Sequence, residues 1–313
     1  MKKILAVLMA AVMLLTLAAC SPEQPSGEGK VNPEDYLKNV PAVEDLTGVD
    51  TSAIIGVEDG VLTVGMECAY APYNWTQMDD SNGAVPIKGM EGTYANGYDV
   101  MIAKRICEAY GWELEVVSSA WDSLCPAVQS KTMDANIAGQ SMTAERMAEV
   151  DMAGPYYYAT IVCVAKKGTK FAEAKSIADL AGGKCTSQSG TIWYDSCLSQ
   201  IKDAELLAPA ETAPQMIMQL QTGTVDFICT DMPTAMGAVA KDDSLVILDF
   251  SQTPEADFQF ESAEVKAENV NIGISVLKDN TELKEAIDKV LSVMTEEHFN
   301  AMMNYAIAVQ PEV

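Results

Sequence analysis

Two oppositely charged side chains occupy positions that suit the binding of a small charged molecule. Arg146 carries a planar guanidinium that can hold a carboxylate through two hydrogen bonds, and it follows Thr143, a predicted helix N-cap, by three residues. Asp231 ends an apolar run at 225–230 that predicts a strand, and ligands of α/β sheets collect at the carboxyl ends of strands. Because buried charges require counter-charges, the two residues predict a cleft that holds the carboxylate and the ammonium of a zwitterionic amino acid.

Other interpretations of the charged residues stay open at this point. Arg146 lies beside Glu145 and Glu149 and could be a solvated helix arginine, and Asp231 could simply cap the helix that follows it. Glu67 ends the first predicted strand, where it could be a cap or a pocket carboxylate that favours a basic or amide nitrogen. Lysine, arginine, histidine, glutamine and cystine all remain open as ligands.

The composition narrows the class of protein. The 313 residues include 45 acidic and 20 basic side chains, and the formal net charge of −25 argues against a nucleic-acid partner. A hydrophobic content of 49% is typical of a globular chain, and the length suffices for two lobes. The single histidine, His298, and the lack of a C-x-x-C pair argue against zinc and against imidazole-based catalysis. We therefore do not expect a zinc enzyme. The further expectations are no other metal, no cofactor and no catalytic residue.

Strand and helix patterns alternate along the chain and predict an α/β fold. Strands are predicted at 61–65, 113–117, 135–138, 160–165, 184–187, 225–230 and 269–277, and helices at 98–110, from 122, at 176–180, from 191, at 214–221 and within 281–309. The order β-α-β-α-β implies parallel pairing. The turn-rich residues 76–96 are predicted to form one long loop that could reach the mouth of a cleft.

The N-terminus has the pattern of an export signal. Lys2 and Lys3 precede an apolar run at 4–19, and Leu17-Ala18-Ala19-Cys20 resembles the lipobox of bacterial lipoproteins. We therefore predict a signal peptide at 1–19, a lipid anchor at Cys20 and a tether at 20–60. An ordinary cleavage site that happens to adjoin a cysteine is the alternative.

Seven further cysteines follow at irregular spacing. They are Cys68, Cys107, Cys125, Cys163, Cys185, Cys197 and Cys229. Since their number is odd and several lie in apolar stretches, we predict mostly free, buried thiols.

Seven motifs, taken in order, resemble those of amino-acid-type solute-binding proteins of ABC importers, solute-binding protein family 3. They are 64–73, Gly97-Tyr98-Asp99-Val100, Trp121-Asp122-Ser123-Leu124, 138–146, Gly154-Pro155-Tyr156-Tyr157, Ser189-Gly190-Thr191 and 226–231. The resemblance covers about residues 61–309. It implies an α/β, two-lobed periplasmic-binding-protein-like fold of type II, with mainly parallel sheets and two hinge crossings at 161–166 and 270–275. The first lobe would comprise 61–165 and 271–313, and the second 166–270, with the ligand between them.

The resemblance also assigns roles to individual residues. Ser141 and Thr191 would donate to the ligand carboxylate at Arg146, and the Gly139 carbonyl and Ser141 hydroxyl would join Asp231 at the ammonium. Tyr70 and Trp121 would enclose the ligand side chain between aromatic faces, although either ring could instead belong to the core. Glu67 would lie in the side-chain pocket, and Trp193 is a further candidate for its wall.

The function that the resemblance implies is that of an exported receptor. It would be anchored at Cys20 to the outer face of the cytoplasmic membrane, or be periplasmic, and would hand a polar or basic amino acid to an ABC permease. We expect a monomer without enzymatic activity. A dehydratase-like enzyme on the same scaffold, with Glu67 as its acid, and an amino-acid-sensing surface lipoprotein are the alternatives.

Overall fold

The computed structural model describes residues 31–311. The predicted signal peptide and Cys20 lie outside the described residues. Within the described range, every helix is too short or too polar to cross a membrane.

The described chain alternates strands and helices. The strands are β1 Val61–Met66, β2 Ala69–Tyr70, β3 Asn74–Gln77, β4 Val85–Pro86, β5 Tyr94–Asn96, β6 Glu113–Ser118, β7 Ala135–Asn136, β8 Asp151–Tyr157, β9 Ile161–Lys166, β10 Lys184–Thr186, β11 Glu205–Leu206, β12 Phe227–Asp231, β13 Leu245–Leu248 and β14 Ile272–Val276. The α-helices are α1 Tyr98–Tyr110, α2 Leu124–Gln129, α3 Ala144–Glu149, α4 Ala213–Gln221, α5 Met232–Lys241, α6 Ala263–Val270, α7 Thr281–Leu291 and α8 Glu296–Val309. Short helical turns include Pro33–Asn39, Trp121–Ser123, Ile177–Leu180 and the π-helical Trp193–Cys197.

Two five-stranded sheets define two lobes. The first lobe is built on the order β6-β1-β7-β14-β8 and the second on β11-β10-β12-β9-β13. Each sheet contains two parallel and two antiparallel strand pairs. The sheets are therefore mixed, whereas mainly parallel sheets were predicted. Every antiparallel pair of these two sheets includes β9 or β14, each of which is the first strand that the chain forms after it passes from one lobe to the other.

The chain crosses between the lobes twice. It leaves the first lobe between Tyr157 and Ile161, because β8 pairs in the first sheet and β9 pairs only in the second. It returns between Val270 and Ile272, at the start of β14. The first crossing therefore precedes the predicted boundary at 165, and β9 belongs wholly to the second lobe.

The residues before β1 pack on the first lobe. Leu46 and Val57 are buried, and the Leu46 N–H donates to the carbonyl of Ala109 in α1 at 2.8 Å. Arg105 Nη2 donates to the carbonyl of Pro41 at 2.9 Å. The predicted tether at 20–60 is thus corrected from residue 33 onward, because isolated apolar side chains without periodicity still find partners on α1.

The segment at 76–96 is also more ordered than predicted. It contributes to a four-stranded antiparallel sheet, β2-β3-β5-β4, and is not one long loop. Trp75 and Ala95 of this sheet are buried. Strands of two to four residues between turns show no readable alternation, so the sequence pattern could not identify them.

Both lobes have apolar cores that contain free thiols. All seven described cysteines are free and six are buried, as predicted, with Cys125 half-buried. Cys163 and Cys229 lie opposite each other on β9 and β12 in the second core. Burial in apolar surroundings raises the pKa of Cys229, which disfavours the reactive thiolate.

Candidate functional site

A cavity of about 530 Å³ is walled by residues of both lobes. Six of the eight predicted ligand-binding residues line it: Tyr70, Trp121, Gly139, Ser141, Arg146 and Thr191. Trp193, the additional wall candidate, lines it as well. Glu67 and Asp231 are not in its wall, and the segment 76–96 contributes none of its lining.

Arg146 brings a positive charge to the first-lobe wall. Thr143 caps α3, because its Oγ1 accepts from the Arg146 N–H at 3.2 Å, and Arg146 Nη1 donates to the carbonyl of Ser141. Its guanidinium carbon lies 5.9 Å from the centroid of the Trp121 ring. None of the ion pairs among the described residues includes Arg146, and burial lowers its pKa. The guanidinium is therefore available to an anion in the cavity.

The second crossing holds the segment that carries Ser141. The N–H of Gly273 donates to the carbonyl of Gln140 at 3.0 Å, and the N–H of Met142 donates to the carbonyl of Asn271 at 2.8 Å. This antiparallel pairing fixes the backbone on both sides of Ser141 beside the hinge. Ser141 itself is buried at the edge of the cavity.

Thr191 lies in the second-lobe wall. Its hydroxyl donates to the carbonyl of Gln188 at 2.7 Å, so its proton is engaged within the lobe. The carbonyl of Gly190 accepts from Trp121 Nε1 of the first lobe at 3.4 Å. Contact between the lobes at this point is therefore made by backbone on one side and an indole on the other.

Asp231 ends β12 and has two structural roles. Its Oδ1 accepts from the N–H of Thr234 at 2.9 Å, which caps α5, and its Oδ2 accepts from the hydroxyl of Tyr70 at 2.6 Å. Burial raises the pKa of Asp231, and the bonds from Tyr70 and Thr234 partly offset this. The alternative prediction that Asp231 caps the following helix is thus confirmed. Tyr70, which lines the cavity, lies between this carboxylate and the cavity.

Glu67 also contacts the opposite lobe. Gln188 Nε2 donates to Glu67 Oε2 at 3.2 Å, and both side chains are buried. Burial raises the pKa of Glu67 to about 7, against a lowering by the Gln188 bond. Gln188 was not predicted, and its only sequence signal is that it directly precedes the Ser189-Gly190-Thr191 motif.

The packing of the aromatic wall of the cavity, formed by Tyr70 and Trp121, requires glycine at position 139. Its φ of +67° is in the left-handed region, and a Cβ at this position would lie 2.8 Å from Cε1 of Tyr70. The rings of Tyr70 and Trp121 meet edge to face, with centroids 5.9 Å apart and an interplanar angle of 85°. In this structure the two rings therefore contact each other and do not stand as parallel plates.

Four carboxylates line the same cavity and were not predicted. They are Asp122, Glu145 and Glu149 of the first lobe and Asp195 of the second. Burial and the charge of Glu145 raise the pKa of Asp195, which indicates that acids of the two lobes repel each other. Against the single positive charge of Arg146, the lining carries an excess of negative charge, which favours a ligand with additional positive charge.

Comparisons with known proteins agree with this architecture. The family model for bacterial extracellular solute-binding proteins, family 3, matches residues 62–304. The L-cystine-binding protein TcyJ of Escherichia coli (strain K12) is 26% identical over 241 residues, which cover 77% of this chain and 79% of the relative.

Two solved structures are similar over most of the chain. The amino acid ABC transporter substrate-binding protein AbpA from Streptococcus pneumoniae, bound to L-arginine, shares 25% identity at a TM-score of 0.63, covering 81% of this chain and 98% of that one. The ancestral amino acid-binding protein AncCDT-1, a precursor of cyclohexadienyl dehydratase, shares 26% identity at a TM-score of 0.60, covering 76% and 91%. Since the family model spans most of the chain, this protein belongs to the bacterial extracellular solute-binding proteins, family 3.

Proposed function

We propose that this protein binds a free amino acid with a polar or basic side chain between its lobes and delivers it to an ABC permease. Relatives that bind L-cystine and L-arginine support this substrate class. The observation that carries the proposal is the guanidinium of Arg146, which lines the interlobe cavity without a carboxylate partner among the described residues. An amino-acid carboxylate would form the direct ion pair that none of the described carboxylates makes with Arg146.

The remaining ligand groups are assigned by charge. The ammonium lies near the Gly139 carbonyl and the Ser141 hydroxyl, within the negative field of Asp231 behind Tyr70. A basic side chain extends toward the acidic lining formed by Asp122, Glu145, Glu149 and Asp195. Glu67 acts on the ligand through its field and through Gln188, because it does not line the cavity.

Ligand binding shifts the equilibrium of the protein from an open form to a closed form. A ligand that contacts Arg146 on the first lobe and the 190–191 backbone on the second stabilises only the closed form. A micromolar affinity corresponds to about −8 kcal/mol, which one charge-assisted bidentate contact, an ammonium site and an aromatic wall can supply.

The proposal includes the cellular setting. Residues 1–19 direct export, Cys20 carries the lipid anchor on the outer face of the cytoplasmic membrane, and the protein acts as a monomer. The first lobe would extend to about residue 160 and resume near 271, with the second lobe between these crossings. The segment at 33–60 forms part of the first lobe, which shortens the tether.

An enzymatic function is the second candidate, since one similar structure is an ancestral precursor of a dehydratase. A carboxyl with a pKa raised to about 7, as in Glu67, is suited to general acid catalysis. Binding is favoured because Glu67 is already bonded to Gln188 and lies outside the cavity wall. Incubation with prephenate-like acids, followed by chromatography, distinguishes the two, and binding alone predicts no product. A surface sensor, the third candidate, predicts that loss of the permease leaves uptake unchanged.

The direct test is calorimetry of the chain from residue 21 onward with L-arginine, L-lysine, L-histidine, L-glutamine and L-cystine. At least one should bind, and Arg146→Ala should weaken that binding about 100-fold, or about 2.7 kcal/mol. Arg105→Lys serves as the control, because Arg105 is also half-buried but bonds to Pro41 away from the cavity. Equal affinity in Arg146→Ala and in the control would refute the proposed role of Arg146.

A further inference from the structure

The Gly97-Tyr98-Asp99-Val100 motif lies outside the cavity, yet it is joined to the cavity wall by hydrogen bonds. Gly97 has φ +122°, and a Cβ there would lie 2.4 Å from the carbonyl oxygen of Tyr73. This close approach lets α1 begin directly against the segment 72–74. The N–H of Tyr98 donates to the carbonyl of Pro72 at 3.1 Å, and the N–H of Asp99 donates to that of Tyr73 at 2.8 Å.

The carboxylate of Asp99 accepts a hydrogen bond at each oxygen. Oδ1 accepts from the hydroxyl of Tyr156 at 2.7 Å, and Oδ2 accepts from Asn74 Nδ2 at 2.7 Å. Asp99 is 0% exposed, and the ion pairs of the described residues do not include it. Burying a carboxylate without a cation costs free energy unless hydrogen bonds compensate for the lost hydration. Asp99 therefore depends on its two donors, Tyr156 and Asn74, and holds both of them in place.

One branch leads from Asp99 to Gly139. Because the proton of Tyr156 points at Asp99, the hydroxyl oxygen is left to accept, and it does so from the N–H of Gly139 at 2.9 Å. Gly139 is the residue whose Cα lies against the ring of Tyr70 in the cavity wall. With its N–H engaged, the backbone of Gly139 is held in one orientation.

The other branch leads from Asp99 to Cys68. Because Asn74 directs its amide nitrogen at Asp99, its Oδ1 must face the other way, where it accepts from the N–H of Cys68 at 2.6 Å. Cys68 has φ +56°, a strained conformation for a residue with a side chain, and its carbonyl accepts from Thr76 Oγ1 at 2.9 Å. This turn separates Glu67 from Tyr70, which both contact the second lobe.

We propose that Asp99 is a positioning residue of the ligand site: its carboxylate sets the direction of both hydrogen-bonded branches and thereby places Gly139 and the 67–70 turn for the ligand. This inference rests on the proposed function. An amide could not replace the carboxylate, because it has only one acceptor oxygen and its NH2 group would face one of the two donors. Burial raises the pKa of Asp99 to about 7, and the bonds from Tyr156 and Asn74 oppose this rise because they favour the ionised form.

The test compares Asp99→Asn and Tyr156→Phe with Tyr110→Phe, which removes another buried hydroxyl of the same lobe, one that donates to the Ala286 carbonyl. The binding of L-arginine and L-cystine is measured by calorimetry, and the free energy of unfolding is measured by urea unfolding. Asp99→Asn and Tyr156→Phe should each weaken binding at least 10-fold, whereas Tyr110→Phe should lower stability alone. Asp99→Ala removes both acceptor oxygens and so breaks the branch through Tyr156 as well, and the double variant Asp99→Ala/Tyr156→Phe should therefore bind no more weakly than Asp99→Ala.

Amide hydrogen exchange in the ligand-free protein gives an independent readout. Asp99→Ala, which removes both acceptor oxygens, should accelerate exchange at the N–H of both Gly139 and Cys68, whereas Tyr156→Phe should accelerate it at Gly139 only. If Asp99→Asn does not fold, Tyr156→Phe alone tests its branch by the same two measurements. Lowered stability with unchanged affinity, or additive losses in the double variant, would overturn the positioning role.

These outcomes separate the inference from the proposed function. A wild-type protein that binds neither the probes nor any other amino acid would refute the function, and with it the role of Asp99 toward a ligand. Wild-type binding that persists at full affinity in Asp99→Asn would refute the inference alone.

Discussion

The hydroxyl of Tyr70 in the first lobe donates to Oδ2 of Asp231 in the second lobe at 2.6 Å. Gln188 and Glu67 form a second bond between the lobes at 3.2 Å. The protein's own side chains thus hold the lobes together around the cavity. Under the proposed function, we expect a ligand to add its contacts to this arrangement, or its ammonium to replace the hydroxyl of Tyr70 at Asp231.

Removal of the Tyr70 hydroxyl should open the ligand-free protein. Tyr70→Phe leaves Oδ2 of the buried Asp231 with only its bond from Thr234, so we expect a lower free energy of unfolding by about 1–2 kcal/mol. The radius of gyration from small-angle X-ray scattering should rise without ligand and return to the wild-type value when ligand saturates the site. Tyr110→Phe, the matched loss of a buried hydroxyl within one lobe, should leave the radius unchanged. A radius for Tyr70→Phe equal to that of wild type would show that this bond does not hold the lobes closed.

The buried carboxyl of Glu67 should make stability depend on pH. Burial raises the pKa of Glu67 from its ordinary value of 4.5 to about 7. Between these values the folded state binds more protons than the unfolded chain, so the free energy of unfolding falls as the pH rises from about 4.5 to about 7. Glu67→Gln keeps an oxygen acceptor for Gln188 and removes the titration. It should match wild type near pH 4 and exceed it by up to about 3 kcal/mol at pH 8.

Urea unfolding at pH 4 and pH 8 checks this expectation. The exposed Glu91→Gln is the control and should differ little from wild type at either pH. Equal stability of Glu67→Gln and wild type at pH 8 would contradict the assigned ionisation.

The aromatic wall should not tolerate a side chain at Gly139. Gly139→Ala places a methyl group 2.8 Å from the Tyr70 ring, which must move, and we expect at least a 10-fold loss of ligand affinity. Gly182→Ala is a matched control, since Gly182 has nearly the same φ, +68° against +67°, with nothing within 4 Å of the added Cβ. Both variants should lose about 1 kcal/mol of stability from backbone strain, but only Gly139→Ala should lose affinity in calorimetry. Parallel losses of affinity in the two variants would point to strain and not to the wall.

Local patterns predicted the elements that have strong local signals. The apolar residues of α1 recur four apart and Gly111 ends the helix in a left-handed conformation, so the predicted helix at 98–110 matches the observed Tyr98–Tyr110. The sheet within 69–96 and the packing of 33–60 on the first lobe were missed, because short strands and isolated apolar residues carry no period. The earlier position of the first crossing depends on which sheet β9 joins, and that is a long-range choice.

Some residues of the candidate site could also be predicted from the sequence, and others could not. Arg146 could be placed because it lies near a helix start that carries its own signal, and Thr191 because its motif resembles that of the family; both line the cavity. Gln188 and Asp195 could not, since closure of two lobes brings them to Glu67 and Glu145 from distant parts of the chain. Asp231 was predicted to contact the ligand, but the intervening Tyr70 can be seen only in the folded structure.

The half-buried thiol of Cys125 should report on ligand binding. Cys125 lines the cavity with Arg146, whereas the other six described cysteines are buried elsewhere in the two cores. Burial raises the pKa of Cys125, so we expect slow alkylation by iodoacetamide, yet faster than at any of the buried six. A saturating amino acid should slow its alkylation at least 10-fold by covering the thiol and favouring the closed form. Peptide mass spectrometry of timed samples measures each cysteine separately, and the rate at Cys107, which is buried in the first lobe away from the cavity, is the internal control. Protection of Cys125 and Cys107 to the same degree would indicate general stabilisation, whereas selective protection of Cys125 places the ligand in the cavity beside Arg146.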